Sequence, residues 1–172
     1  MMRSLHRFFR DRSAVAVIEF AIILPVMVAL SLGTFEASRA VQAKIKASNA
    51  AQVIADMIAA QNNVTAAGLT NYCNGAKLTM VPYDKTVLKA AIASVTNGTL
   101  DWHNESCGTA TAIASPTTVA TTLSGGTGNS VIIVQTTYVY SATLVYFLPA
   151  SITMVQTGFS RPRNTTTVTN NG

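Results

Sequence analysis

The chain has 172 residues, of which only 11% are charged, against about 25% in a typical soluble domain. Its net charge of +5 is gathered at the start, where Arg3, Arg7, Arg10 and Arg12 stand against a single Asp11. With no Lys/Arg cluster interleaved with aromatics elsewhere, this distribution excludes a nucleic-acid surface and points to membrane topology.

Residues 1–13 read as a basic cytoplasmic tail. Residues 14–33 follow as an apolar stretch of about the length that a bilayer core requires. Positive charge before it and much less after it predicts a single transmembrane helix with the N-terminus in the cytoplasm. The remainder then lies on the far side. A removable secretory signal is the competing reading. Against it stand the length of the apolar run, the Glu19 within it, and a helical continuation whose best small-x-small site is only Ala29-Leu30-Ser31.

Glu19 is the one ionisable residue of the stretch, and an acidic side chain in hydrocarbon costs about 2.5–3.5 kcal/mol on insertion scales. Either it reaches the headgroups of the cytoplasmic leaflet, or it pairs with a positive charge supplied by another subunit. Pro25 lacks the N–H that would bond the carbonyl of Ala21, so a local kink is expected.

Residues 34–62 read as an extramembrane continuation of the same helix, rich in Ala, Gln, Lys and Arg and free of Pro. Steps of three and four place Ala40, Ala43, Ala47, Ala50, Ile54 and Met57 on one stripe. The stripe is explained by helix propensity alone, or by close approach of another helix, since small residues let backbones come near one another. Asn62-Asn63 ends the helix.

Residues 63–163 form the exported α+β unit. Thr65 can cap a second helix running towards Met80, and Val81-Pro82-Tyr83-Asp84 is a turn. Residues 86–96 fit a strand because Asn97-Gly98 follows, a strong hairpin signal, with 99–102 as the returning strand. His103 to Thr109 is expected to be a polar loop holding Cys107. Residues 109–129 are rich in Thr, Ser, Ala and Gly, and their glycine-rich end, 124–129, reads as a flexible loop that lacks the Lys and helix context of a phosphate loop. Residues 131–147 and 151–160 are rich in Val, Ile, Thr and Tyr and read as two long strands joined near Leu148-Pro149-Ala150. Residues 164–172 are Thr/Asn-rich and read as a disordered tail.

Cys73 and Cys107 are the only cysteines. In an exported domain of this size a disulfide is the first expectation, with two unpaired thiols as the alternative. Closing that loop would stabilise the fold by roughly 3–4 kcal/mol in the chain-entropy model.

No active site is legible. His103, flanked by Asp101 and Glu105, is the only candidate constellation, and a surface histidine explains it. No paired carboxylates, metal-ligand cluster or nucleophile with its base is present, so no enzyme activity and no cofactor or metal are expected. Trp102 reads as a core or strand-edge aromatic.

The block from Arg7 to Pro25, Arg-x-x-Arg-Asp-Arg-Ser-Ala-Val-Ala-Val-Ile-Glu-Phe-Ala-Ile-Ile-Leu-Pro, resembles the opening of TadE-like proteins, pilin-like components of the bacterial tight-adherence (Tad/Flp) pilus system. The shared features are a basic segment, a small residue (Ala14), four apolar residues, Glu19-Phe20, and a Pro six residues after the Glu. Weaker likeness continues through Ala47-Ser48-Asn49-Ala50-Ala51, Ala55-Asp56-Met57-Ile58, Met80-Val81-Pro82-Tyr83, Asp101-Trp102, Val139-Tyr140 and Arg161-Pro162-Arg163.

The resemblance implies a fold in which a long N-terminal helix packs on a small antiparallel β-sheet. It also implies cutting by a prepilin peptidase between Ala14 and Val15, although Ala14 stands where the family normally has Gly. Glu19 would then be the fifth residue of the mature chain, available to the Val15 amine of a neighbouring subunit, with Phe20 and Pro25 beside it on the assembly surface. The implied role is that of a minor pseudopilin in the inner membrane, its C-terminal domain periplasmic. Its partners would be other pilin-like subunits and the pilus assembly machinery, and adhesion the end use. A permanently anchored periplasmic or surface binding protein is the alternative.

Overall fold

A computed structural model describes residues 12–124 and 130–172. The predicted basic tail falls almost wholly on residues 1–11, and the glycine-rich loop on 125–129, so both lie outside the described residues.

A single helix, α1 (Arg12–Ala59), joins the predicted span to its continuation without interruption. At 1.5 Å per residue its 48 residues extend about 72 Å. After Asn62 comes a two-residue strand, β1 (Asn63–Val64), then α2 (Ala66–Lys77) and one 3₁₀ turn (Leu78–Met80). Thr65 caps α2 as its sequence position implies, with Oγ1 accepting from the backbone N–H of Gly68 at 3.2 Å.

The sheet comprises β2 (Lys89–Thr96), β3 (Thr99–Cys107), β4 (Ser130–Ser141) and β5 (Ser151–Ser160), with a helix α3 (Pro116–Ser124) between β3 and β4. Its order is β3-β2-β4-β5, and every pairing is antiparallel. Asn97-Gly98 makes the β2–β3 turn with both residues at positive φ, 53° and 76°, the conformation that such a pair adopts most readily.

The fold is therefore α+β, a long N-terminal helix laid on an antiparallel sheet, as expected. α1 covers one face through its outer half, packing with Ile92, Ile132, Val134, Tyr138 and Met154. The other face is also covered. Ala91, Ala93, Val95, Val131 and Ile133 pack there with Ile113 and with Ala120 of α3. A strand walled on both sides reads as a continuous apolar run, which is the pattern of β2 and of the first part of β4.

Three expectations need correction. β3 runs through Cys107 rather than ending at Trp102, because pairing with β2 holds a stretch of polar residues extended despite their weak strand preference. Between β3 and β4, where composition alone assigned no element before residue 124, Pro116 opens α3 at the first helical position, where its missing N–H is no loss. β4 stops at Ser141, and 142–150 is a loop closed by a hydrogen bond from Ala142 N–H to the Ala150 carbonyl.

The third concerns residues 164–172, which the structure folds back onto the domain. A last strand, β6 (Thr169–Asn170), lies parallel to β1. Val168 is buried, and its carbonyl accepts from Trp102 Nε1 at 2.7 Å. One apolar side chain with a core pocket and a short ladder to join is enough to fix an otherwise polar segment.

The disulfide between Cys73 on α2 and Cys107 at the end of β3 is formed, with a Cα–Cα distance of 5.8 Å. It ties the helical insert to the edge of the sheet.

Candidate functional site

The features singled out in the sequence lie along α1, whose two halves have opposite surroundings. From Val15 to Leu32 every side chain is exposed, including Ile18, Phe20, Ile22, Ile23, Leu24, Met27 and Leu30. This half is long and apolar enough to cross a membrane and touches little else in the chain. Its two hydroxyls bond back onto the helix: Ser31 Oγ donates to the Met27 carbonyl and Thr34 Oγ1 to the Leu30 carbonyl, each at 2.8 Å. Polar groups satisfied within the helix itself suit an apolar solvent.

Ala14 and Val15 lie in the first turns of α1. Glu19 and Phe20 project from the bare half, and the helix continues through Pro25. The residues expected to serve processing and assembly thus lie on one helix, and from Val15 onwards their side chains are exposed.

The outer half is built for close contact. Ala40, Ala43, Ala47, Ala50 and Ile54 are all buried. They lie in the chain's own core, among residues of the sheet and of α2, so this stripe is covered within the chain. Met57 does not belong to it, being 39% exposed, and Ile58 is the buried residue at that level. Straight α-helix repeats every 3.6 residues, so an apolar line drifts off a 3.5-residue pattern and reaches 58 rather than 57.

The closeness is seen at Gly158 of β5, where an added Cβ would lie 2.6 Å from the backbone of Ala51 and Gln52. Helix and sheet are near enough for direct hydrogen bonds. Thr136 Oγ1 donates to the Ala47 carbonyl at 3.0 Å, and Gln52 Nε2 donates to the Phe159 carbonyl at 3.0 Å. The C-terminal end of α1, which has no basic residue in its last turn, is finished from elsewhere. Arg163 N–H donates to the Ala59 carbonyl at 2.9 Å, Asn164 Nδ2 to the Ala60 carbonyl at 2.8 Å, and the Arg163 guanidinium meets Asp56 at 3.2 Å. These contacts satisfy carbonyls that a helix leaves open at its end.

Where the bare half gives way to the packed half, the structure holds a residue that the sequence reading passed over. Glu36 is fully buried. Its Oε1 accepts from Tyr140 Oη at 2.7 Å and from the Thr143 backbone N–H at 2.9 Å. The Tyr140 hydroxyl, the Thr143 N–H and the nearby Arg39 charge hold the carboxyl below its usual range, outweighing the opposing effect of burial. Burial and the same glutamate push the Tyr140 hydroxyl up to about 12. Arg39 Nη1 donates to Thr143 Oγ1 at 2.7 Å, and its guanidinium carbon lies 5.9 Å from the centre of the Phe35 ring. The partners of Glu36 are more than a hundred positions away, so nothing local marks it.

The histidine constellation comes apart. His103 Nδ1 lies 2.8 Å from Glu105 Oε1 on exposed β3, whereas Asp101 accepts from Ser94 Oγ and Thr96 Oγ1 at 3.0 and 2.6 Å. Among the described residues no group of three or more His, Cys, Asp or Glu could hold a metal ion.

Neither a curated protein nor a solved structure matches the chain. Over residues 14–56, which take in the bare half of α1 and most of its packed half, the chain matches the family model of TadE-like protein, the family that its N-terminal block resembles.

Proposed function

We propose that this chain is a non-catalytic, pilin-like component, a minor pseudopilin, for assembling a Tad/Flp-type pilus in a bacterial inner membrane. The observation that carries the reading is the coincidence of the matched segment with a helix of two kinds, one half bare and apolar, the other fastened to a small sheet. In this reading residues 14–33 cross the inner membrane with the N-terminus cytoplasmic, and the sheet domain is periplasmic. The bare half is held by lipid first and by the helices of neighbouring subunits later, and no bond in the domain has to break for the exchange.

Glu19 acts in that exchange. Once a prepilin peptidase has cut between Ala14 and Val15, the new amine of one subunit neutralises Glu19 of the next, which removes the penalty of a lone carboxylate in hydrocarbon. The mature N-terminus of membrane-extracted protein, read by intact mass, tests the processing step and is expected to be Val15. Glu19→Ala is expected to insert normally and to lower pilus output, and normal output would refute the assembly role.

One observation favours a second reading. Ala14 stands where the family has Gly, and an uncut chain beginning at Met1 would be a permanently anchored adaptor whose periplasmic domain binds an envelope partner.

A further inference from the structure

The loop 142–150 between β4 and β5 sits beside the outer end of the apolar half of α1. Its Phe147 ring packs on the helix at Gly33, where an added Cβ would come within 3.1 Å of Cδ1. Thr143, at the loop's start, is held by Glu36 and Arg39. These contacts place the loop at the level of helix residues 33 to 39. A hydrocarbon core of about 30 Å takes up about 20 helical residues, so a span that begins near residue 14 ends near Gly33.

The loop's composition fits that depth. Val145 is 58% exposed, Tyr146 97% and Phe147 43%, three large side chains in succession that the domain does not cover. No charged residue occurs anywhere from Ser130 to Ser160. Phe35, 59% exposed, stands on the helix at the same level, and Arg39 lies one turn further out with its guanidinium beside the Phe35 ring. Aromatic rings at the boundary, with a cation just above them, are the arrangement that phospholipid interfaces select.

We propose that this loop is a membrane foot: Val145, Tyr146 and Phe147 enter the interfacial layer of the phospholipid bilayer that α1 crosses. The domain is then attached at two points, the span and the foot. The hydrogen bonds of Glu36 and Arg39 to the loop fix the angle between them. The inference rests on the anchored reading of α1 and goes beyond it, because an anchored domain could as well stand clear of the lipid.

The test is nitroxide labelling of the full-length chain in vesicles of phosphatidylethanolamine and phosphatidylglycerol, with the native cysteines kept in their disulfide. Three single variants are compared: Tyr146→Cys in the loop, Val26→Cys within the span, and Met57→Cys, roughly 36 Å beyond Gly33 on the same helix. Collision with oxygen reports lipid, and collision with a water-soluble nickel chelate reports water. The expected result is nickel access several-fold lower at 146 than at 57, with oxygen access raised towards that at 26. If 26 is shielded but 146 is as open to nickel as 57, the foot is overturned and the anchor stands. If 26 itself is open to nickel, both fall. If 146 is closed to both reagents and the labels broaden one another, the loop meets a second copy of the protein, and the lipid proposal is overturned.

Discussion

The two halves of α1 invert the usual rule for helices. Where the helix touches nothing, its side chains are large and apolar, and where it is buried they are mostly alanine. In the proposed reading two different partners, lipid and the sheet, account for the reversal. Lipid accommodates bulky side chains without fitting them, so the inner half needs only hydrophobicity and length. The sheet is rigid and approaches to backbone contact at Gly158, so the outer half needs small side chains and a few well-aimed polar ones such as Gln52. Size records how closely the neighbour comes, and polarity records what the neighbour is.

This contrast can be broken or sharpened by variants that affect one half only. Removing the disulfide, by reduction or as the double variant Cys73→Ser and Cys107→Ser, is expected to destabilise the domain by about 3–4 kcal/mol and to leave membrane insertion unchanged. Chemical denaturation in detergent, with extraction from membranes alongside, checks both halves of that statement. Gly158→Val is expected to lower stability by about 3 kcal/mol, the upper part of the range for overpacking, because the obstacle is helix backbone and cannot turn aside. Stability unchanged in Gly158→Val would mean that helix and sheet are not in backbone contact.

The junction responds to pH. Glu36 is held below the ordinary glutamate value of 4.5, so its contribution is fully present above that value and is lost as pH falls through the lower, folded one. Its partner works in the opposite sense. Tyr140 is raised from 10.0 to about 12, so its contribution is present below pH 10 and fades as pH rises towards 12. The pair is therefore strongest between about pH 5 and pH 9. Glu36→Gln is expected to flatten the acid limb of the unfolding midpoint against pH, leaving the slope from Asp84, whose carboxyl is likewise lowered by the Thr86 hydroxyl and N–H. An acid limb as steep as that of the parent would remove Glu36 from the junction. The smallest effect is expected inside the span. Leu24→Ala should leave domain unfolding within about 0.5 kcal/mol, since its side chain meets no part of the domain.

What could be read in advance follows a physical pattern. The helix, the Thr65 cap, the Asn97-Gly98 hairpin and the cysteine pair are local signals, each carried by a few adjacent residues or by simple parity. The polar second half of β3, the thread of residues 164–172 and the partners of Glu36 are set by contacts distant in sequence, and no window along the chain contains them. α3 is the intermediate case. Ser115-Pro116 is a helix-opening pair, but the Thr-rich sequence behind it has weak helical preference and hides the signal. Within the candidate site, Glu19 and Pro25 were visible because they interrupt an apolar run. Glu36 was not, because it is an ordinary glutamate on a polar stretch until Tyr140 is brought against it.

The unbroken run of α1 through the junction has a mechanical consequence. The outer half is fastened along its length by alanine contacts, one buried and one exposed hydrogen bond to the sheet and a bonded far end. A pull on the domain along the helix axis therefore loads those contacts together in shear instead of peeling them one at a time. The strain travels down the rod to Pro25, where the ladder lacks a donor and bending is easiest. The weakest point of the shaft then lies within the bare apolar half and not at the neck of the domain, so the protein should yield by tilting on its root before its head comes loose.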